Sequence, residues 1–195
     1  VQLGKSAIRN AVMILAGYWD LVDLVIVSTG RDDSARPMQI DRANNFLEGW
    51  DVFESSDGKD ITESNAMEVV EDVQVLLENN RKVVLFTKSN SDTLPGVEQL
   101  ARTLKERMAD LRVMLIADEA DEAHLPLRKS GSGSAAELKR DQGIHRAFTH
   151  LAKYADCGVI WFTATPMPLL IQPKTWSLYP RRVTAALPEK NSAYF

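Results

Sequence analysis

The sequence predicts a single α/β domain in which a parallel β-sheet carries helices on both faces. Short apolar runs of strand length alternate along the chain with longer segments of helical apolar spacing. Most of these runs are apolar at successive positions, which is typical of strands buried on both sides of a parallel sheet. With 195 residues and a hydrophobic content of 45%, the chain has the size and composition of one well-packed domain.

The first part of the chain predicts a helix, a strand and a second helix. Residues 5–17 have helical apolar spacing, and 21–28 is a β-branched run closed by Thr29-Gly30. A short helix is expected at 37–47, after a polar turn. Residues 48–60 are rich in Gly, Ser and Asp, so they predict a loop on the surface.

The rest of the chain repeats the alternation of helix and strand. An amphipathic helix comes first, and each later helix is followed by an apolar run. The predicted elements are helix 64–78, strand 82–87, helix 97–108, strand 112–117, helix 136–154 and strand 158–163. Four strands are therefore expected in the sheet.

Composition limits the classes of function. The 23 basic and 27 acidic residues give a net charge of -4, so no global basic field indicates nucleic-acid binding, and such contact must be local or lie outside this chain. The single cysteine, Cys157, excludes an internal disulfide and is expected to be a small buried residue. No apolar stretch is long enough to span a membrane. The sequence thus indicates a soluble, cytoplasmic protein.

Two segments differ from the rest in composition. Residues 128–135 include Ser-Gly-Ser-Gly-Ser and predict a flexible loop, either natural or an engineered replacement for a longer insertion. The tail 172–195 contains three prolines and ends without a helix stop signal. The chain is therefore expected to be cut before its natural C-terminus.

Gly4-Lys5-Ser6 opens the first predicted helix and resembles the second half of a P-loop, G-x-x-x-x-G-K-[ST]. In that motif backbone amides and the helix N-terminus hold phosphates, the lysine reaches the β and γ oxygens, and the hydroxyl binds magnesium. The first glycine of the motif would lie upstream of Val1, so truncation is expected at this end too. Taken alone, the tripeptide is more typical of a helix cap, and the motifs downstream favour the P-loop.

Asp118 and Glu119 follow the apolar run that ends at Ala117. Asp118 is thus expected at the carboxyl edge of the sheet, where open α/β sheets bind ligands. There Asp118 would hold magnesium through water, and Glu119 would orient or deprotonate an attacking water. An acidic helix start is the alternative. A second acidic box begins at Asp121, but it starts three residues beyond the strand tip and is rejected.

Thr163-Ala164-Thr165-Pro166 ends the last predicted strand. Threonines at such a place can simply satisfy backbone groups of a loop. In helicase-type motors, however, this position links the phosphate site to a neighbouring lobe. Thr163 and Thr165 are therefore candidate coupling residues.

With these motifs in order, the chain resembles a RecA-like lobe of helicase superfamily 2, and more narrowly the Z-one domain family of P-loop ATPases, which are linked to restriction or defence systems. Similar segments cover nearly the whole chain. They are Val1-Gln2-x-Gly4-Lys5-Ser6, Val27-Ser28-Thr29-Gly30, the set Arg36, Gln39 and Arg42, Phe86-Thr87-Lys88-Ser89-Asn90, Asp118 to Asp121, Phe162 to Pro166, and Leu178-Tyr179-Pro180 with Leu187-Pro188 and Tyr194.

The resemblance implies ATP and Mg²⁺ as cofactors, with Gln2 beside the nucleotide and Gln39 and Arg42 sensing nucleic acid or phosphate. It also implies a nucleic-acid partner, with DNA favoured over RNA, and a second RecA-like lobe outside this chain. A solvated helix face is the alternative for Gln39 and Arg42. Met167-Pro168 departs from the family pattern, and no nuclease signature supports the endonuclease activity that the family is often given. A non-catalytic scaffold that binds other proteins is the rival function.

Overall fold

The computed structural model describes residues 3–30, 36–53, 60–118, 135–163, 170, 172, 174–175 and 177–184. The helices are α1 (Leu3–Tyr18), α2 (Arg36–Phe46), α3 (Ala66–Glu78), α4 (Thr93–Arg107) and α5 (Ala135–Leu151), with a 3₁₀ turn at Ala152–Tyr154. The strands are β1 (Leu24–Thr29), β2 (Trp50–Phe53), β3 (Lys82–Lys88), β4 (Val113–Asp118) and β5 (Val159–Phe162).

The five strands form one parallel sheet in the order β2-β3-β1-β4-β5. The predicted α/β class with a parallel sheet is thus confirmed. The central strands β1 and β4 are buried along their whole length, whereas β2 and β5, at the ends of the order, are half-buried. Apolar side chains alternate between the two faces of each strand, as strand geometry requires.

Each face of the sheet has its own apolar core. On one face, Leu24 and Ile26 of β1 belong to a cluster with residues of α3, α4 and α5. On the other face, Val25 and Val27 belong to a cluster with Met13 of α1 and residues of α2. Helix α1 therefore lies on the α2 face, above the strands that lead to the carboxyl edge.

The prediction of a loop throughout 48–60 is wrong at its start, because Trp50–Phe53 forms β2 and pairs with β3. Tertiary contacts determine this short edge strand. Trp50 packs against α1 at Gly17, where an added Cβ would lie 2.7 Å from the Trp50 ring. Arg81 donates to the Asp51 carboxylate at 2.7 Å. Neither contact is visible as a local sequence pattern.

Helix α4 begins at Thr93, four residues before the predicted start. Pro95 and Gly96 are typical of a helix break, so the sequence predicted a later start. Proline is nevertheless tolerated in a first turn, because an N–H at that place has no partner within the helix. The side chain of Asn90 accepts hydrogen bonds from the backbone N–H groups of Asp92 and Thr93, which caps the turn. The cap and the close packing described below together account for the early start.

Two other outcomes concern the surface. Cys157, expected to be buried, is exposed, and its thiol donates to the carbonyl oxygen of Leu21 at 3.3 Å. Among the helices that the structure describes, none has the length and apolar character needed to cross a membrane.

Gly96 provides a test of the packing between α4 and the turn before α3. A Cβ at Gly96 would lie 2.3 Å from the backbone carbon of Thr62, and backbone cannot move aside as a flexible side chain can. We expect Gly96→Ala to lower the free energy of unfolding by about 1–3 kcal/mol, as overpacking does. Gly143→Ala in α5 is the matched control, because nothing lies within 4 Å of its Cβ. The control should stabilise by about 0.5–1 kcal/mol through helix propensity. Urea unfolding measures both, and equal effects would contradict this packing.

Candidate functional site

The structure brings α1 and the end of β4 together through one buried ion pair. Arg9, in the second turn of α1, donates from Nη1 to Oδ2 of Asp118, the last residue of β4, at 2.9 Å. Arg9 is fully buried, and Asp118 is 4% exposed. This contact fixes the N-terminal half of α1 at the carboxyl edge of the sheet.

Gly4, Lys5 and Ser6 lie in the first turn of α1, so the predicted helix over the phosphate motif is confirmed for the backbone. Position 5 precedes Arg9 by four residues, which is about one helical turn, or roughly 6 Å along the axis. Because Arg9 reaches the tip of β4, the start of α1 lies at that same edge of the sheet. Two of the predicted motifs therefore occupy one region of the molecule.

Two further side chains enclose the Arg9 guanidinium. Nη1 also donates to Oε1 of Gln39 in α2 at 3.1 Å, and the guanidinium carbon lies 5.3 Å from the centroid of the Phe86 ring in β3. Burial lowers the pKa of Arg9, and the Asp118 carboxylate offsets part of that effect. Asp118 is therefore held by a cation from the protein itself, a contact that the sequence did not predict.

Arg9 was overlooked for a definable reason. It is the one charged residue between Ile8 and Trp19, within a helix whose other residues are almost all apolar. A lone charge in such a helix can be read as a surface residue. The signal in the sequence is spacing: Arg9 and Asn10 precede Met13 by four and three residues, which places all three on one helical face. In the structure all three are buried.

The other predicted site residues have mixed positions. Gln39 is buried, so a solvated face is wrong for it, while Arg42 is half-buried and near enough to lower the pKa of Arg9 further. Thr163 is half-buried. It follows Phe162, which lies opposite Asp118 in the pairing of β5 with β4. The predictions that involve Gln2, Glu119, Thr165 and the loop 128–135 lie outside the described residues, apart from the backbone of Ala135.

A second polar cluster lies at the carboxyl ends of β1 and β3. The hydroxyls of Ser28 and Ser89 are 2.8 Å apart, and the Thr29 hydroxyl donates to the carbonyl oxygen of Thr87 at 3.0 Å. Ser28, Thr29, Thr87 and Ser89 are all buried. These bonds stiffen the sheet edge next to Asp118, since β1 is the neighbour of β4.

The opposite edge of the sheet carries a cleft of about 440 Å³ among charged side chains. Its charges neutralise one another: Lys82 donates to Asp20 at 2.8 Å, and Arg112 donates to Asp23 at 2.6 Å and to Asp20 at 3.0 Å. Open α/β sheets bind ligands at the carboxyl ends of their strands, not at this amino edge. The cleft is therefore assigned to the scaffold, and the candidate site is the edge at Arg9 and Asp118.

Comparison of the chain with protein-family models, with curated proteins and with solved structures finds no match. Its function has to be inferred from its own residues and their geometry.

The charge network at the amino edge predicts a dependence of stability on pH. Hydrogen bonds from Lys82 and Arg112 lower the pKa of Asp20 to about 2, against about 3.9 in an unfolded chain. A carboxyl group whose pKa is lower in the folded than in the unfolded state stabilises the fold at any pH above the unfolded-state pKa. That stabilisation is lost as the pH falls toward the folded-state pKa. The difference in unfolding free energy between wild type and Asp20→Asn should thus be constant above about pH 4 and should shrink as the pH falls toward 2.

Thermal or urea unfolding across this pH range checks the expectation. The same pair of proteins in a Lys82→Met background is the control, because Lys82 is the largest cause of the low pKa. There the difference should be smaller throughout. A difference that does not change with pH would contradict the network.

Proposed function

We propose that this chain is a RecA-like lobe that binds and hydrolyses ATP with magnesium in order to act on nucleic acid. One observation carries the proposal. The Arg9–Asp118 bond joins helix α1, which begins with the segment Leu3-Gly4-Lys5-Ser6, to strand β4, which ends at Asp118, at one edge of a parallel sheet. A lobe that transfers phosphoryl groups needs a phosphate cradle and a magnesium carboxylate at one edge.

In this proposal each residue has a defined task. Backbone amides at the start of α1, together with Gln2 and Gly4, hold phosphate oxygens, and Lys5 binds the β and γ oxygens. Ser6 would bind magnesium through its hydroxyl and Asp118 would hold it through water, while Glu119 would orient or deprotonate the attacking water. When bound, magnesium would neutralise charge that develops on the phosphates.

The donor groups proposed for magnesium match the coordination that this ion takes in proteins. Magnesium in such sites takes one or two carboxylates together with substrate phosphates and keeps several waters. In the part of the chain that the structure describes, no cluster of three His, Cys, Asp or Glu side chains can form an all-protein metal cage. Asp118 at a strand end beside a helix start supplies the single carboxylate, so the residues present fit magnesium that arrives with a nucleotide.

The proposal extends to partners through the resemblance to the Z-one family. Thr163 and Thr165 would transmit the nucleotide state to a second RecA-like lobe, and Arg42 would contact nucleic acid or sense phosphate. DNA in a restriction or defence system is the partner that this resemblance implies. The sequence has no nuclease signature, and the proposal is limited to ATP hydrolysis coupled to action on nucleic acid.

A second function, a non-catalytic scaffold that binds another protein, is favoured by the outer face of α1. Six large apolar residues there and in the following turn are exposed, including Tyr18 at 82% and Trp19 at 61%. The six are Ile8, Ile14, Leu15, Tyr18, Trp19 and Leu21. Contiguous exposed apolar surface is typical of sites for protein contact. ATP turnover distinguishes the two functions.

We expect Lys5→Ala and Glu119→Gln to affect different steps. Both are to be measured in the natural protein. Lys5→Ala should weaken ATP binding, because it removes the phosphate ligand. Glu119→Gln should leave binding nearly intact and slow turnover by about a hundredfold to ten-thousandfold, the range for loss of a general base. Calorimetry with ATP and magnesium gives the binding, and phosphate release gives the rate.

Lys153→Ala, at an exposed lysine of the 3₁₀ turn, is the control for loss of a positive charge and should behave as wild type. A wild-type rate in Glu119→Gln would refute the assignment of Glu119 and point to the acidic box that begins at Asp121. No turnover in the wild-type protein, with or without nucleic acid, would refute the ATPase and favour the scaffold.

A further inference from the structure

Arg9 has an unusual balance of contacts for a fully buried arginine. Both hydrogen bonds from the Arg9 side chain come from Nη1, which donates to Asp118 and to Gln39. Within the part of the chain that the structure describes, Nε and Nη2 have no hydrogen-bond partner, and neither has Oδ1 of the adjacent buried Asn10. Buried donors of a charged group without partners are costly, and such groups in native proteins call for an explanation.

A purely structural role explains this arrangement poorly. A buried ion pair compensates for its desolvation only when good geometry and further hydrogen bonds satisfy the remaining donors. Here the guanidinium binds the carboxylate through one nitrogen rather than through the two-pronged geometry that arginine usually offers. The Phe86 ring, at 5.3 Å, is an aromatic neighbour that does not accept the unpartnered N–H groups as an oxygen would.

The place of the pair is as informative as its geometry. Asp118 is the carboxylate that the proposed function assigns to magnesium, and Arg9 already supplies a positive charge 2.9 Å from one of its oxygens. Two cations that share one buried carboxylate repel each other strongly, because the surroundings screen charge poorly. Arg9 and a divalent cation therefore compete for Asp118.

We propose that Arg9 is an internal counter-ion that holds Asp118 in place in the metal-free lobe and yields part of that contact when a divalent cation binds. Arg9 is then a positioning residue, and Gln39 keeps a hydrogen bond to the guanidinium while the contact changes. The inference rests on the proposed function, since that function assigns the metal to Asp118. It adds that the lobe opposes metal binding until a nucleotide brings the metal in.

The test uses Mn²⁺ and Mg²⁺ alone, without nucleotide, on the 195-residue chain. Metal-dependent stabilisation in thermal unfolding and calorimetric titration report binding without any turnover. Arg9→Gln removes the competing charge, so the apparent Kd for the metal should fall by about fivefold or more, as a coupling between two sites of ordinary size would give. Without metal, Arg9→Gln should melt at a lower temperature than wild type, because the buried ion pair with Asp118 is broken.

Two variants show where the effect arises. Arg112→Gln removes an arginine from a carboxylate pair at the opposite edge of the sheet and should leave the metal Kd unchanged. Asp118→Asn in the Arg9→Gln background should abolish the metal response. If Arg9→Gln fails to fold without metal, recovery of the fold on addition of Mn²⁺ supports the inference, and failure to recover overturns it.

Equal metal Kd values for wild type and Arg9→Gln would overturn the inference, as would a response in Arg9→Gln that survives Asp118→Asn. These outcomes are separate from failure of the proposed function. A protein that hydrolyses ATP but shows no effect of Arg9 on metal binding refutes only the counter-ion. A protein without ATP turnover, but with an Asp118-dependent gain in metal binding in Arg9→Gln, refutes only the ATPase.

Discussion

The buried ion pair between Arg9 and Asp118 connects the start of α1 with the end of β4, the two elements on which the proposed function rests. On the inward face of α1, Arg9 and Asn10 are buried beside the apolar side chain of Met13. Apolar packing alone would tolerate small shifts of the helix along the sheet, whereas a charged hydrogen bond at 2.9 Å fixes one position. The alignment of the helix start with the tip of β4 therefore depends on this pair.

Much of the fold could be predicted from the sequence because local pattern and tertiary burial agree. The runs that became β1, β3 and β4 are apolar at almost every position, and they are buried on both faces. Asp118 ends such a run, so its place at the carboxyl edge followed directly. Strand β2 and the first turn of α4 were not predictable in this way, because β2 depends on pairing and packing contacts distant in sequence and Pro95-Gly96 resembles a helix break.

The candidate site was only partly predictable, for a physical reason. Sequence motifs single out residues whose chemistry would suit a ligand, such as the proposed Lys5 and Asp118, because ligand chemistry restricts the residue types. They do not identify a residue whose role is to neutralise the charge of another residue inside the protein. The pairing of Arg9 with Asp118 spans 109 positions of the chain, and Gln39 joins from a third element. Such a network becomes visible only when the topology brings its members together.

A double-mutant cycle on Arg9 and Asp118 tests this account most directly. Urea unfolding of wild type, Arg9→Met, Asp118→Asn and the double variant gives the four free energies. Each single change should cost about 3–5 kcal/mol, because it breaks a buried ion pair by removing one of its two charges. The double variant should cost clearly less than the sum, with a coupling energy of about 1–3 kcal/mol. Additive effects would mean that the two residues do not interact, and α1 and β4 would then not be held together as a single site.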